Sequence, residues 1–132
     1  KPCVKWERVV QLRSSISQYV SLHRKLEKYI RRLVVASRPY NPDIKNYIHS
    51  PSELVEDFVQ LGASPRADMC WGPTARVRAL ITGGRDRVYP EDIQALAKNV
   101  FGHRINLKTS SRKRGITVEN VIDDIVQKVA VP

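Results

Sequence analysis

The stretch Leu61-Gly62-Ala63-Ser64-Pro65-Arg66-Ala67 is built like the start of a helix that presents one arginine. Ser64 suits the N-cap, where its hydroxyl can accept a hydrogen bond from a free first-turn N–H, and Pro65 is preorganised for the first helical position. Arg66 follows immediately. A cation in a first turn gains nothing from the helix macrodipole, whose positive end lies there. Two kinds of partner would account for it. One is a neighbouring carboxylate; the other is a bound phosphate, whose oxygens match the planar fork of a guanidinium. The stretch alone leaves both open.

Other chemistry is largely excluded. No Gly-x-x-x-x-Gly-Lys-Ser/Thr loop occurs, and no glycine is followed by lysine, so the chain cannot cradle a nucleotide in that way. Val121-Ile122-Asp123-Asp124 has the outline of an apolar run ending in a metal-binding acid. It falls inside an amphipathic helical pattern, however, which puts both carboxylates on the polar face. His23, His49 and His103 define no catalytic constellation, and no metal site is predicted. Cys3 and Cys70 lie far apart without a Cys-x-x-Cys pair, which fits a reducing compartment and a cytoplasmic location.

The elements that must position Arg66 fit one domain spanning residues 1–132, of which 42% are hydrophobic. The net charge of +10 favours a polyanion, a phosphate-bearing ligand or an acidic protein face as partner, and says nothing about fold. The excess is spread evenly, with 11 basic and 6 acidic residues before Ala63 and 12 and 7 after it. No apolar run reaches transmembrane length, and no membrane partner is expected. Met69 is the sole methionine, so the chain reads as a segment of a larger protein.

The periodicity predicts an all-α bundle of about five to six helices. A first helix covers about Val4 to Ser17, with Trp6 as a candidate anchor. A second is capped by Ser21 and buries Leu22, Leu26, Tyr29, Ile30 and Leu33, leaving Arg24, Lys28 and Arg31 on the solvated face. Arg38 to Ser50 reads as a loop, and Ser50 with Glu53 forms a capping box around Pro51. From Ser64 a helix burying Cys70, Val77, Leu80 and Ile81 is expected to kink or break at Gly72-Pro73 and to end at Gly83-Gly84. Pro90 opens one helix through Ile93, Leu96, Ala97, Val100 and Phe101. Ile105 to Leu107 is extended or irregular, Ser110 to Gly115 is a basic loop, and Thr117 caps a last helix with Val118, Val121, Ile122, Ile125, Val126 and Val129 on its apolar face.

Several blocks, in order, carry a family resemblance: Gly62-Ala63-Ser64-Pro65-Arg66-Ala67, Gly84-Arg85-Asp86, Val88 with Pro90-Glu91-Asp92-Ile93, His103-Arg104-Ile105, and Val129-Ala130-Val131-Pro132. Together they resemble the C-terminal lid of MoxR-type AAA+ ATPases. The resemblance extends upstream through Tyr19-Val20-Ser21, Tyr29-Ile30 and Leu33-Val34-Val35-Ala36-Ser37-Arg38. It departs from the family at Trp71-Gly72-Pro73 and at Tyr89, where a capping Thr or Ser is usual.

This resemblance implies a helical lid over ATP and Mg that are bound mainly by an upstream P-loop core, in subunits that form homo-oligomeric rings. Arg66 matches the sensor-2 arginine that contacts the terminal phosphates, with Ser64 and Pro65 positioning it; Arg38, Arg85 and Arg104 match positions better suited to ion pairing or subunit contacts. Chaperone-like assembly or activation of partner proteins, including ones with von Willebrand A domains, is the implied role. The fragment by itself is expected to bind no cofactor, to lack ATPase activity and to meet nucleic acid only non-specifically. The rival reading from composition is a free-standing basic helical module that binds nucleic acid or an acidic protein.

Overall fold

The computed structural model describes residues 3–39 and 52–132. Among them the chain forms eight helices and one two-stranded antiparallel ribbon, which upholds the all-α expectation. The helices are α1 (Trp6–Tyr19), α2 (Arg24–Ala36), α3 (Glu53–Phe58), α4 (Pro65–Gly83), α5 (Pro90–Ala95), α6 (Ala97–Phe101), α7 (Thr109–Lys113) and α8 (Val118–Lys128). The ribbon pairs β1 (Val59–Leu61) with β2 (Asn106–Leu107). The helix count exceeds the expected five to six because several of these elements are only one or two turns long.

α2 is the first wall of the core. Leu26, Tyr29, Ile30, Leu33 and Val34 recur at helical spacing and are buried, while Arg24, Lys28 and Arg31 face solvent. Its cap is His23, whose Nδ1 accepts from the Lys25 N–H at 3.1 Å, and not Ser21. Ser21 is extended instead and bridges Arg87, with its N–H on the Asp86 carbonyl and its own carbonyl taking the Val88 N–H. That pairing satisfies the Ser21 backbone outside any helix, which explains why the helix starts two residues later.

α4 runs through the middle of the bundle as one helix of 19 residues, so the break expected at Gly72-Pro73 is absent. Two features let Pro73 stay. The proline is exposed, so the Met69 carbonyl that loses its helical donor sits on the solvent side, next to an exposed Met69 side chain. Across the helix, Ala67, Trp71, Gly72, Ala75 and Ala79 are buried. Trp71 is fully enclosed; its indole N–H donates to the Ile93 carbonyl at 3.1 Å and its ring meets Phe101 edge-on at 4.9 Å. Packing of this kind outweighs the local preference for a break.

The buried face of α4 is therefore a row of alanines around one tryptophan. The expected face is half-buried at Cys70, Val77 and Leu80 and exposed at Ile81. Gly84 ends the helix in the left-handed conformation at φ 57°, as expected of a glycine cap.

α1 packs on α4 but buries none of its own residues, and Trp6 is 74% exposed, so it anchors nothing among the described residues. α3 is capped by Ser52, whose hydroxyl accepts from the Val55 N–H; the proposed box residues Ser50 and Pro51, and the loop from Tyr40 onward, lie outside the described residues. The helix expected from Pro90 to Phe101 divides at Leu96, where ψ turns to −7° and the carbonyl ladder tightens. Part of the expected Ser110 to Gly115 loop is the helical turn α7, ended by Gly115 at φ 67°. α8 is as expected, with Thr117 and Asn120 forming a reciprocal cap and Val121, Ile122 and Ile125 buried.

Candidate functional site

The Gly-Ala-Ser-Pro-Arg stretch is held by the end of α2. Ser37, fully buried, donates from its hydroxyl to the Val34 carbonyl and accepts the Ala63 N–H at 3.0 Å. The next residue, Arg38, donates from Nε to the Ala63 carbonyl at 2.9 Å. Both polar groups of the Ala63 backbone are thus satisfied by two consecutive residues of one neighbouring turn. Gly62 is required by the same approach: a Cβ there would run into the carbonyl and backbone of Ser37 and Arg38.

From this clamp the chain passes directly into α4. Ser64 takes the N-cap backbone conformation, at φ −79° and ψ 166°, with Pro65 in the first turn. Its hydroxyl does not make the expected capping bond. The Ala67 N–H instead bonds the Ser64 carbonyl at 2.9 Å, and Pro65 has no N–H to offer. Ser64 itself is exposed.

Arg66 is exposed. Among the described residues it has no ion pair and no hydrogen bond, so no described carboxylate accounts for it. Asp68, the acid nearest in sequence, is engaged by Arg31 at 3.4 Å. An arginine pointing outward from the positive end of a helix is electrostatically suited to an anion brought from elsewhere. A guanidinium also offers two parallel donors, the arrangement that matches the oxygens of a phosphate or carboxylate.

The other arginines singled out by sequence are consumed by the fold. Arg85 forks onto Asp92 through both terminal nitrogens at 2.8 Å and stacks over the Tyr89 ring at 4.7 Å. Asp92 is buried and also accepts the Tyr89 N–H at 2.9 Å, so it caps α5 and closes the ion pair at once. Tyr89 replaces a capping Thr or Ser without replacing its bond: the cap comes from Asp92, and the tyrosine ring serves Arg85.

Burial pushes the Asp92 carboxyl upward. Hydrogen bonds from Arg85 and the Tyr89 N–H, with the charges of Arg85 and Arg78, outweigh that and hold it below the usual carboxylate range. Arg104 donates to the Val100 carbonyl at 2.7 Å and closes the end of α6. The histidines are not gathered: His23 caps α2, His103 is exposed after α6, and His49 lies outside the described residues. Asp123 and Asp124 stand on the polar side of α8 and pair with Lys98 and Lys128. Among the described residues no cluster of His, Cys, Asp or Glu could hold a metal ion. None of the helices described is long and apolar enough to cross a membrane.

Sequence reasoning placed Arg66 but missed its support. Ser37 and Arg38 lie twenty-odd residues upstream, beyond the reach of local periodicity; the resemblance included both and suggested ion pairing or subunit contacts for Arg38, whereas the structure puts its guanidinium on the Ala63 carbonyl.

Comparison with known proteins agrees with this architecture. The AAA lid domain family matches residues 52–131. Chaperone MoxR1 of Mycobacterium tuberculosis is 34% identical over 115 residues, covering 84% of this chain and 27% of the relative. Protein MoxR of Methylorubrum extorquens is 33% identical over 129 residues, covering 96% of this chain and 36% of the relative. A crystal structure from Cytophaga hutchinsonii, described as that of an ATPase, superposes with a TM-score of 0.81 at 32% identity, over 96% of this chain and 36% of that one. The chain thus spans about a third of the length of the proteins it matches. The exposed arginine at the head of α4 belongs, with the bundle that holds it, to a chain that is a member of the AAA lid domain family and a relative of the MoxR proteins.

Proposed function

We propose that this chain is the lid of a MoxR-type AAA+ ATPase, closing over ATP held by an upstream core and using Arg66 as its sensor-2 residue. The observation that carries this reading is the state of Arg66: exposed, without a partner among the described residues, and fixed at the start of α4 by the clamp on Ala63. Arg66 fits the terminal phosphates of a nucleotide and cannot serve Mg, which as a cation would be repelled by it. The core supplies the metal site, the phosphate loop and the attacking water. The lid supplies a positioned positive charge where negative charge grows on the transferring phosphoryl group. Because α2 and the first turn of α4 are joined at Ser37, Arg38 and Gly62, movement of the lid carries the guanidinium toward or away from the phosphate.

In the intact protein this couples hydrolysis to chaperone-like assembly or activation of partner proteins by a homo-oligomeric ring, in the cytoplasm, with von Willebrand A domains among the candidate partners. The chain alone is expected to bind no cofactor and not to turn ATP over. Its positive charge gives nucleic acid only a weak, salt-sensitive attraction without sequence preference.

The test is Arg66→Ala in the intact protein. An interaction that strengthens as charge develops contributes to kcat more than to ground-state affinity. Removal of one comparable donor costs about 2.7 to 4 kcal/mol, so turnover should fall roughly a hundredfold to a thousandfold while ATP affinity changes little. Lysine should restore part of the rate, since it keeps the charge and loses the fork. Wild-type turnover in Arg66→Ala would reduce Arg66 to an ordinary surface residue.

A further inference from the structure

The β1–β2 ribbon is closed along one edge and open along the other. Lys108 donates its backbone N–H to the Phe58 carbonyl at 2.7 Å, which makes Val59 and Leu107 the opposed pair that exchanges no hydrogen bonds across the ribbon. The backbone groups of these two residues therefore point outward, on opposite edges. On the β1 side the edge is shut, because the Val59 N–H bonds the Val55 carbonyl at the end of α3. On the β2 side the Leu107 N–H and carbonyl have no hydrogen-bond partner among the described residues. A groove of about 650 Å³ runs there, and all of residues 105–109 line it. Successive strand side chains point to opposite faces, so lining by consecutive residues marks a groove that follows the strand edge and not one that lies on a face. Ile116 and Val118, partly buried against the core, give it an apolar wall. Arg112 lines it while exposed, and has no partner among the described residues. None of the described residues lining it is acidic or aromatic.

We propose that this groove receives an extended acidic segment of a partner protein, added to the ribbon as a third strand. The inference is independent of the role of Arg66. A strand edge with unpaired N–H and carbonyl groups is a template for another strand, and such pairing supplies main-chain bonds whatever the sequence of the guest. β2 is short, so side chains must supply the rest. Alternate residues of the guest meet Ile116 and Val118, and a carboxylate on the guest takes the fork of Arg112. The charge argues for an acidic guest: Lys113 and Arg114 follow Arg112 directly, and no acid lines the groove to oppose them among the described residues. Single-stranded nucleic acid fits less well, because its bases would find no aromatic ring in the groove on which to stack. A second copy of this chain would bring its own Arg112-Lys113-Arg114 to the contact, and like charges disfavour it.

The experiment titrates the intact protein into a fluorescein-labelled, end-blocked peptide of about eight residues, the length of an ordinary strand, in which valine and glutamate alternate. Fluorescence anisotropy reads the binding. Arg112→Glu should weaken it about tenfold or more, whereas Lys113→Glu, an exposed neighbour that does not line the groove, makes the same change of charge and should weaken it less than about threefold. A second readout leaves the protein untouched. The same peptide methylated at every backbone nitrogen keeps its charge and side chains but has no N–H to give the Leu107 carbonyl, and should bind at least about tenfold more weakly. Failure of the wild-type protein to bind the peptide, equal binding by wild type and Arg112→Glu, or equal binding of the methylated peptide overturns the proposal. So does displacement of the peptide by oligothymidine at a lower concentration than by unlabelled peptide, because the groove would then serve nucleic acid. Smaller assemblies of Arg112→Glu than of wild type in light scattering, without peptide present, would overturn it in favour of a second copy.

Discussion

The two ends of α4 each carry an arginine, and the fold treats them in opposite ways. Arg85, just past the C-terminal cap, is held by both oxygens of a buried carboxylate and covered by a tyrosine ring. Arg66, at the N-terminus, is exposed and has no partner among the described residues, although the residues just before it are fixed by three separate devices. The contrast separates an arginine spent on the fold from one left available to a ligand. In the first the side chain is satisfied within the fold, by Asp92 and Tyr89. In the second the backbone is over-determined and the side chain is left with its hydrogen-bonding capacity unspent.

The comparison is sharpened first at the middle of the helix, on which both ends depend. Trp71→Ala should destabilise the chain by about 3 to 5 kcal/mol, measured by denaturant unfolding, because it empties the centre of the core and removes the Phe101 contact. A loss below about 1 kcal/mol would mean that α4 is held by its ends and not by its buried face.

The C-terminal end comes next. Asp92→Ala should cost about 3 kcal/mol, because it leaves the Arg85 guanidinium without its counter-charge and removes the α5 cap. Its pH dependence has a definite sign. The folded carboxyl titrates below its unfolded value of about 4, so its contribution is fully present above that pH and is lost as pH falls through the folded value. The stability gap between wild type and Asp92→Asn should therefore narrow below about pH 4. A gap that stays constant down to the acid transition would show that the carboxylate charge is not what Arg85 is held by.

The N-terminal end gives the smaller effects on stability. Gly62→Ala should destabilise by about 1 to 3 kcal/mol, since the added methyl meets rigid backbone that cannot step aside. In the intact protein it should also slow ATP turnover by displacing Arg66. Arg66→Ala in the 132-residue chain should change unfolding free energy by less than about 0.5 kcal/mol, because alanine suits a helix and no contact among the described residues is lost. A large loss would put Arg66 in the same class as Arg85 and dissolve the contrast.

Much of the fold was legible because its strongest signals are local. The apolar stripes of α2 and α8, the Gly84 cap and the Pro90 helix start could all be read from spacing and residue type. What escaped was decided at a distance. The continuity of α4 through Pro73 depends on Trp71 reaching Ile93 and Phe101, and no window around a proline contains that information. Its buried face was misread because alanines at Ala67, Ala75 and Ala79 carry little hydrophobic signal, while the larger Ile81 points outward. Ser21 lost its expected cap to a bridge with Arg87, more than sixty residues on. The candidate site shows the same division: the helix start before Arg66 could be read from Pro65 and the family resemblance, whereas the missing Ser64 capping bond and the clamp of Ser37 and Arg38 on Ala63 could not.

That clamp bears on how the lid can transmit motion. Gly62 meets Ser37 and Arg38 backbone to backbone, without a long side chain between them to change rotamer and take up displacement. A joint without such compliance has no slack: a shift at the end of α2 arrives at the first turn of α4 at nearly full amplitude, not softened as it would be through lysines or methionines. The geometry is that of a bracket joining the end of α2 to the first turn of α4, the turn that carries Arg66.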